Sequence, residues 1–279
     1  SVLENRKFRT AIIDEAAQAL EPAAWIPILR ASKVIMAGDP FQLPPTVKSV
    51  EAERKGFNIS LIEKGIQRLE GANLLKTQYR MNEVIMGFSN QYFYDNQLKA
   101  SDAVKNWKLD IDQNTPMEFI DTAGCGFEEK VQEAYQSRYN PDEFKILCEH
   151  LYQLLEACSG RELPSIGIIS PYREQVEHMK NVIAEDPVLA ATEMAVNTID
   201  GFQGQERDVI YISLVRSNAK GEIGFLKDYR RMNVAMTRAR KKLVIVGDSA
   251  TIGNDDFYNS FLEYCELKGA YRTAWEYLQ

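Results

Sequence analysis

Short apolar runs recur along the chain without the alternation of inward and outward residues that marks a half-solvated strand. The clearest are Val209-Ile210-Tyr211-Ile212 and Leu243-Val244-Ile245-Val246, and similar runs end at Ile13, Ala37 and Ile169. Strands that are apolar on both faces are typical of parallel sheets covered by helices on each side. The pattern therefore predicts an α/β fold built on buried parallel strands.

Segments with helical spacing fill the intervals between these runs. Asn140-Pro141-Asp142-Glu143 has the residues of a helix start, and the helix that it opens should close at Gly160. Other helices are predicted over residues 22–29 and 60–69, through Met86 and Phe93, after Tyr172, and over residues 257–267. Residues 100–114 are polar and irregular, which predicts a loop. We expect a domain boundary near residues 73–80 and divide the chain into residues 1–76 and 77–279.

Composition narrows the class of protein. A net charge of −7 argues against a generally basic nucleic-acid-binding surface, although it permits a local basic groove. The four cysteines are scattered without a CxxC pair, so neither a disulfide framework nor a zinc site is expected. No apolar run is long enough to span a membrane, and no signal peptide is visible. These features predict a cytoplasmic protein, or a nuclear one in a eukaryote.

Polar residues follow the predicted strands at the point where each strand ends. Asp14-Glu15, Gly38-Asp39, Ser170-Pro171-Tyr172 and Gly247-Asp248 all have this position. Sites in parallel sheets commonly lie at the carboxyl ends of the strands. We therefore expect the functional side chains to gather along that edge.

The first candidate chemistry is in the amino-terminal part of the chain. Asp14 could hold magnesium through water, and Glu15 could orient and deprotonate an attacking water. The alternative is a solvated helix start, where acids favour the helix dipole. Gln42 follows a strand in a turn rich in glycine and proline, where a fixed amide could sense a phosphate. The alternative there is a simple proline-rich turn.

Three later stretches carry further candidates. Tyr79 could stack on a base and Arg80 could reach a phosphate, unless they are a packed tyrosine beside a surface arginine. Residues 196–206 contain two glycines that could bring backbone amides near phosphate or ribose, or could form a plain turn. Residues 227–242 hold seven basic residues and one acid. Helical spacing would put Arg231, Val234 and Arg238 on one face, as an arginine against phosphate oxygens or as a solvated basic helix.

In this order the five stretches resemble the later motifs of superfamily 1 helicases. The likeness is to the Upf-like group and, within it, to the immunoglobulin mu-binding protein 2 type, and it runs from Ile12 nearly to the end of the chain. The resemblance implies RecA-like domains of the P-loop NTPase kind, a partial first domain followed by a complete second one. In that family two such domains clamp ATP and move along a single strand of DNA or RNA, here expected to be 5′ to 3′.

The resemblance also implies roles for individual residues. Asp14 and Glu15 match the magnesium-binding and catalytic acids, and Gln42 matches the γ-phosphate sensor. The nucleotide contacts in the second domain would come from Tyr79, Arg80, Gly204 and Glu206, with Arg238 as the arginine finger. Positions near the nucleic-acid strand, single or partly duplex, are matched by Pro171, Tyr172 and Thr198. ATP and Mg²⁺ are the expected cofactors.

One departure from the family pattern affects what the chain can do by itself. No GxxxxGK[ST] loop, which cradles the β-phosphate, occurs in the sequence, and only a short stretch precedes Asp14. We therefore expect an inactive fragment of a longer helicase, with an uncovered strand edge that favours self-association. The alternatives are a non-catalytic module that binds nucleotide or nucleic acid, and an Mg-dependent nuclease.

Overall fold

The computed structural model describes residues 6–69, 72–111, 115–132 and 136–278. The chain divides into two compact units, Ser1–Leu74 and Leu75–Gln279. Among the described residues no helix is long and apolar enough to cross a membrane. All four cysteines are free thiols.

In the part of it that the structure describes, the first unit is a small parallel sheet with three helices. Its strands are β1 (Phe8–Ile13) and β2 (Ala31–Met36), and its helices are α1 (Glu21–Ile28), α2 (Val50–Arg54) and α3 (Leu61–Arg68). The two strands pair in parallel, with Phe8 opposite Ala31 and Ile13 opposite Met36. Ser60 and Glu63 form a reciprocal capping box that starts α3.

The expectation that β1 is a fully buried strand is wrong. Ile12 is 71% exposed, whereas Ile13 and Met36 pack against Ala16, Ala17 and Ile62. Helix α3 supplies Ile62, which covers one face of the strand pair. Ile12 lies on the opposite face, which has no comparable cover within the described part of this unit. An apolar run therefore predicted the strand correctly but not how much of it is covered.

The second unit contains most of the chain. Its first half consists of β3 (Thr77–Gln78), α4 (Glu83–Phe93), β4 (Lys99–Ala100), β5 (Met117–Asp121), β6 (Lys130–Gln132), β7 (Ser137–Tyr139), α5 (Pro141–Ala157) and β8 (Ile166–Ser170). Its second half consists of α6 (Arg173–Glu185), α7 (Pro187–Ala190), β9 (Met194–Thr198), β10 (Arg207–Ser213), α8 (Tyr229–Met236), β11 (Ala239–Gly247), α9 (Ser249–Ile252), α10 (Asp256–Leu267) and β12 (Tyr271–Thr273). Short 3₁₀ turns cover Asp200–Phe202, Gly224–Lys227 and Ala274–Tyr277.

A six-stranded sheet in the order β12-β5-β11-β10-β8-β9 is the centre of this unit. Every neighbouring pair in it is parallel. The apolar runs of β10 and β11 form its middle and are completely buried. The predicted α/β architecture on parallel strands is therefore confirmed. The sequence did not predict the antiparallel β6–β7 hairpin or the strand β9, which appeared only as a short apolar lead.

Helix α5 begins as its sequence predicts. The Asn140 side chain accepts a hydrogen bond from the Glu143 amide at 3.1 Å, and Pro141 occupies the first turn. The Asn140 side chain also donates to the Val215 carbonyl oxygen at 3.3 Å. The helix start is thus tied to the chain that leaves the carboxyl end of β10.

A buried carboxyl and a strained backbone meet at this point. Val215 has a φ of +72°, which is unfavourable for a β-branched residue and costs on the order of 1–3 kcal/mol. The Val215 amide donates to both carboxyl oxygens of Glu143 at 3.0 Å, and the Ser213 hydroxyl donates to the same group. Complete burial raises the pKa of Glu143 to about 8, although these hydrogen bonds oppose the shift. The carboxyl therefore holds the strained residue in place.

We expect Glu143→Gln to flatten the pH dependence of stability. The usual pKa of this carboxyl is near 4.5, so between that value and about 8 the unfolded chain loses a proton that the folded chain keeps. Stability in the wild type should then fall as the pH rises, by at most about 1.4 kcal/mol per pH unit. The glutamine cannot ionise and still accepts from Val215. Urea unfolding at several pH values in that interval measures the slope.

Glu149→Gln is the matched control, because Glu149 lies exposed on the same helix. It should keep the wild-type slope. If Glu143→Gln also keeps that slope, Glu143 does not retain its proton in the folded chain.

Candidate functional site

The acidic pair lies directly beyond the carboxyl end of β1. Glu15 adopts a positive φ of 51°, and its amide donates to the Asp14 carboxylate at 3.0 Å. The Glu15 carboxylate accepts from the Gln18 side chain at 2.7 Å. Both acids are exposed, while the Ala16 amide bonds the Ala37 carbonyl at 2.8 Å and fixes the turn to the end of β2. The turn therefore presents two carboxylates to solvent on a rigid support.

The turn after β2 packs against this acidic turn and holds Gln42. A β-carbon on Gly38 would lie 2.8 Å from the Ala17 amide nitrogen, so only glycine allows this approach. Asp39 accepts from the Phe41 amide and from the Gln42 side chain, both at 2.9 Å. The glutamine amide is thus held in one orientation beside the strand ends.

In the second unit, three stretches that are far apart in sequence meet at Arg80. Its Nε donates to the Glu206 carboxylate at 2.6 Å, and its Nη1 donates to the Thr237 carbonyl oxygen at 3.2 Å. The Gln78 side chain accepts from the Arg80 amide at 2.8 Å and so shapes the turn that carries the arginine. Tyr79 beside it is 71% exposed. The structure therefore joins the Arg80 turn, the glycine loop and the basic segment.

Glu206 also faces a second arginine, which sequence reasoning missed. Arg240 Nε lies 3.8 Å from the Glu206 carboxylate, and the Arg240 guanidinium lies 4.8 Å from the centroid of the Trp107 ring. Asn82 holds Arg240 and Trp107 together. Its backbone amide donates to the Arg240 carbonyl oxygen at 3.0 Å, and its side chain donates to the Trp107 carbonyl oxygen at 2.7 Å. A tryptophan within the polar stretch predicted to be a loop was the one signal available.

Arg238 does not lie on a helical face as predicted. Helix α8 ends at Met236, and Arg238 stands two residues beyond it, only 3% exposed. Its Nε donates to the Val234 carbonyl oxygen at 3.0 Å. The last carbonyls of a helix lack intrahelical partners, and an arginine just past the end can satisfy one of them. That local bond turns the side chain back toward α8.

The arginine cluster also lies at the other edge of the sheet from the one expected. Glu206 precedes β10 and Arg238 precedes β11, and the Arg207 amide bonds the Arg238 carbonyl at 3.1 Å. The amino ends of parallel strands meet just as the carboxyl ends do. The prediction of a single carboxyl edge therefore fits Ser170, Thr198 and Asp248 but not the arginines.

The carboxyl edge holds the three residues predicted to approach a nucleic-acid strand. Pro171 and Thr198 are partly exposed, and the Thr198 hydroxyl accepts from the Gly201 amide at 3.3 Å. Tyr172 is only 2% exposed, and its hydroxyl accepts from Arg216 at 3.4 Å and from the Phe225 amide at 3.3 Å. The Tyr172 ring is therefore a support inside the fold in this structure.

Two details bear on ligands. Gly204 is exposed with a φ of +74°, a conformation that favours glycine. Over the described ranges, no three acidic, histidine or cysteine side chains are grouped so that they could hold a metal ion by themselves. Asp14 offers hard oxygen atoms of the kind magnesium prefers, and it would hold such an ion together with water molecules.

Comparison with known protein families gives two matches. A family model described as an AAA domain matches residues 57–250. A second model, also described as an AAA domain, matches residues 1–50. Together they cover almost all of the stretches considered above.

Curated relatives match along nearly the whole chain. DNA-binding protein SMUBP-2 of Mesocricetus auratus is 38% identical, over 99% of this chain and 28% of its own length. DNA polymerase alpha-associated DNA helicase A of Saccharomyces cerevisiae is 40% identical, over 93% and 41%. An uncharacterised ATP-dependent helicase of Methanocaldococcus jannaschii is 38% identical, over 95% and 40%. The chain thus spans less than half the length of these relatives.

We expect Trp107 and Arg240 to be energetically coupled. A guanidinium over an indole face contributes about 0.5–1 kcal/mol at a partly exposed site. A double-mutant cycle with Trp107→Leu and Arg240→Met, read out by urea unfolding, should show a coupling of about that size. The same cycle with Lys241→Met is the control, because Lys241 pairs with Asp208 at 3.1 Å instead. A coupling no larger than that of the control would show that the ring does not hold Arg240.

Proposed function

This chain belongs to the Upf-like group of superfamily 1 helicases, and we propose that it is the carboxyl-terminal motor portion of an ATP-dependent helicase. Residues 1–76 would be the end of the first RecA-like domain and residues 77–279 the second. The motor would move 5′ to 3′ along a single strand. The observation that carries the proposal is the meeting of Arg80, Glu206 and Thr237, since three separate family motifs converge on one arginine.

In the first unit, the proposed roles of the side chains are to activate the attacking water and to bind the terminal phosphate. Glu15 would orient and deprotonate the water, and Gln42 would report the γ-phosphate by hydrogen bonding. Asp14 would hold Mg²⁺ through water, and the ion would neutralise charge on the phosphate oxygens. The rigid turns around Ala16 and Gly38 favour these roles, because they fix the side chains before the ligand arrives.

In the second unit, the proposed roles of the side chains are to contact the base and the phosphates of the nucleotide. Tyr79 is exposed enough to pack against a base, and Gly204 and Glu206 would contact the nucleotide from their loop. Arg80 would leave Glu206 for the γ-phosphate, because a phosphate can replace a carboxylate as the partner of a guanidinium. Arg238 would act as the arginine finger after exchanging the Val234 carbonyl for a phosphate oxygen.

The proposed polymer partner is DNA or RNA, single-stranded or partly duplex. Pro171 and Thr198 are accessible at the carboxyl edge, and Tyr172 supports that edge from within. Contacts of this kind go mainly to the backbone of the strand. A protein that works on nucleic acid with ATP in this way would reside in the cytoplasm, or in the nucleus of a eukaryote.

We expect Glu15→Gln and Arg238→Ala each to abolish strand-stimulated ATP hydrolysis in the whole protein. Loss of an arginine finger lowers turnover by about 10³-fold or more. Steady-state phosphate release, with and without single-stranded nucleic acid, measures this. Arg161→Ala is the control, since Arg161 makes a surface ion pair with Asp110 at 3.8 Å. Undiminished hydrolysis by Arg238→Ala would refute the finger assignment.

The main alternative is a module that binds nucleotide or nucleic acid without catalysis. For the 279-residue chain alone this is also what we propose, because the sequence contains no GxxxxGK[ST] loop to hold the phosphates. An Mg-dependent nuclease is less favoured, because in the described residues no third carboxylate joins Asp14 and Glu15 to build a metal site.

We further propose that the isolated chain self-associates through the first unit. Ile12 and its neighbour Ile35 on β2 are both exposed, and an uncovered apolar strand is a template for pairing. Sedimentation velocity at increasing concentration should show association that Ile12→Lys reduces. Leu267→Lys, at a highly exposed apolar residue of the second unit, should not reduce it. A monomer at all concentrations would refute the proposal.

A further inference from the structure

Phe225 is an exposed aromatic residue in a short turn whose other large apolar residues are buried. It is 61% exposed, whereas Ile223 and Leu226 on either side are buried. Its ring lies 5.5 Å from the ring of Tyr172, with 33° between the planes. The buried tyrosine therefore supports a phenylalanine ring that stands largely in solvent at the carboxyl edge of the sheet.

The backbone around Phe225 is fixed from three directions. The Phe225 amide donates to the Tyr172 hydroxyl at 3.3 Å, and the Leu226 carbonyl accepts from the Tyr258 hydroxyl at 3.0 Å. Gly224 has a φ of +55°, and a β-carbon there would lie 2.0 Å from Arg216 Nη1. Only glycine lets the chain cross the buried guanidinium at this point. Binding of a ligand on the ring would thus lose little conformational entropy, because the backbone that carries the ring is already ordered.

Positive charge lies in a pocket formed in part by the residues that flank Phe225 in sequence. This pocket, of about 400 Å³, is lined by Gly224, directly before Phe225, and by the charged residues Arg138, Arg216, Lys227 and Glu222. Glu129 accepts from both arginines at 2.7 Å and neutralises one of the two charges. One arginine and Lys227 then face the single negative charge of Glu222, so the net charge of the pocket favours an anion. Lys227 is exposed at the rim of the pocket. An exposed ring beside cations is the arrangement that binds unpaired bases together with their phosphates.

We propose that Phe225 is a stacking platform for an unpaired base of a single nucleic-acid strand, with Lys227 on the adjacent phosphate and Tyr172 as the residue that positions the ring. The inference rests on the proposed function and gives Tyr172, which was expected near the nucleic-acid strand, a supporting role beneath the ring that contacts the base. Since every base has a flat face, the platform would not select a sequence.

The test compares a strand with bases and a strand without them. Fluorescence anisotropy would follow the purified chain binding to labelled oligothymidylate and to an abasic strand of the same length and charge. The wild type should bind oligothymidylate more tightly. Phe225→Ala should weaken that binding about fivefold or more, as expected for loss of one stacked base, and leave the abasic strand unaffected. Phe225→Trp should restore it.

Three controls separate stacking from other causes. Lys227→Ala should weaken both strands equally and lower the salt dependence by about one ion. Leu267→Ala removes an exposed apolar side chain that lies just before β12, at the amino edge of the sheet, and should change neither strand. Oligouridylate should behave as oligothymidylate does. Circular dichroism of each variant checks that it folds.

The outcomes are distinct. If Phe225→Ala binds both strands like the wild type, or weakens both equally, the stacking role is refuted while nucleic-acid binding stands. If the wild type binds neither strand, nucleic-acid binding by this chain is refuted together with the platform. If a protein or peptide were the true partner of Phe225, the ring would make no difference between bases and abasic sites.

Discussion

Parallel pairing of β10 with β11 is the constraint on which the second unit depends. The pairing sets Arg207 opposite Ala239, and the two strands run together to Ser213 and Val246. Residues just before the strands, Glu206 and Arg238, are thereby brought to one edge. Residues just after them, Val215 and Asp248, are brought to the other. Two chemically different edges follow from one register, with the Arg80–Glu206 pair at the amino edge and the Phe225 support at the carboxyl edge.

Buried charges near the amino edge are paired with one another, because the sheet around them is apolar. Lys242, two residues after Arg240, is buried and paired with Glu118, which also contacts His150 at 3.3 Å. Burial opposes ionisation of Glu118, yet hydrogen bonds and charges from His150 and Lys242 hold its pKa well below the usual range. A buried pair of this kind is costly to break. It therefore fixes the start of β11, and with it Arg240, relative to β5.

The sequence predicted those parts of the fold that depend on local patterns. Apolar runs predicted β8, β10 and β11, and the cap at Asn140 predicted α5, because these features depend on residues that are adjacent in sequence. Exposure of Ile12 depends on what covers the strand, which no local pattern records. Helix α8 ends at Met236, and Arg238 beyond it bonds back to Val234. Helical spacing alone does not show where a helix ends, so it placed Arg238 on the helix face. Tyr172, expected near the nucleic-acid strand, is instead buried beneath Phe225, because Gly224, far from Tyr172 in sequence, lets the chain pass over the tyrosine hydroxyl.

We propose that Arg80 senses the terminal phosphate and is held by Glu206 until a nucleotide arrives. Phosphate and carboxylate compete for the same guanidinium, so only one can hold it at a time. A crystal structure of the whole protein with a non-hydrolysable ATP analogue measures this directly, as the distance from the Arg80 guanidinium to the terminal phosphate oxygens. We expect a hydrogen-bond distance and a broken contact with Glu206. Arg80 still bonded to Glu206, with the phosphate bound elsewhere, would contradict the claim.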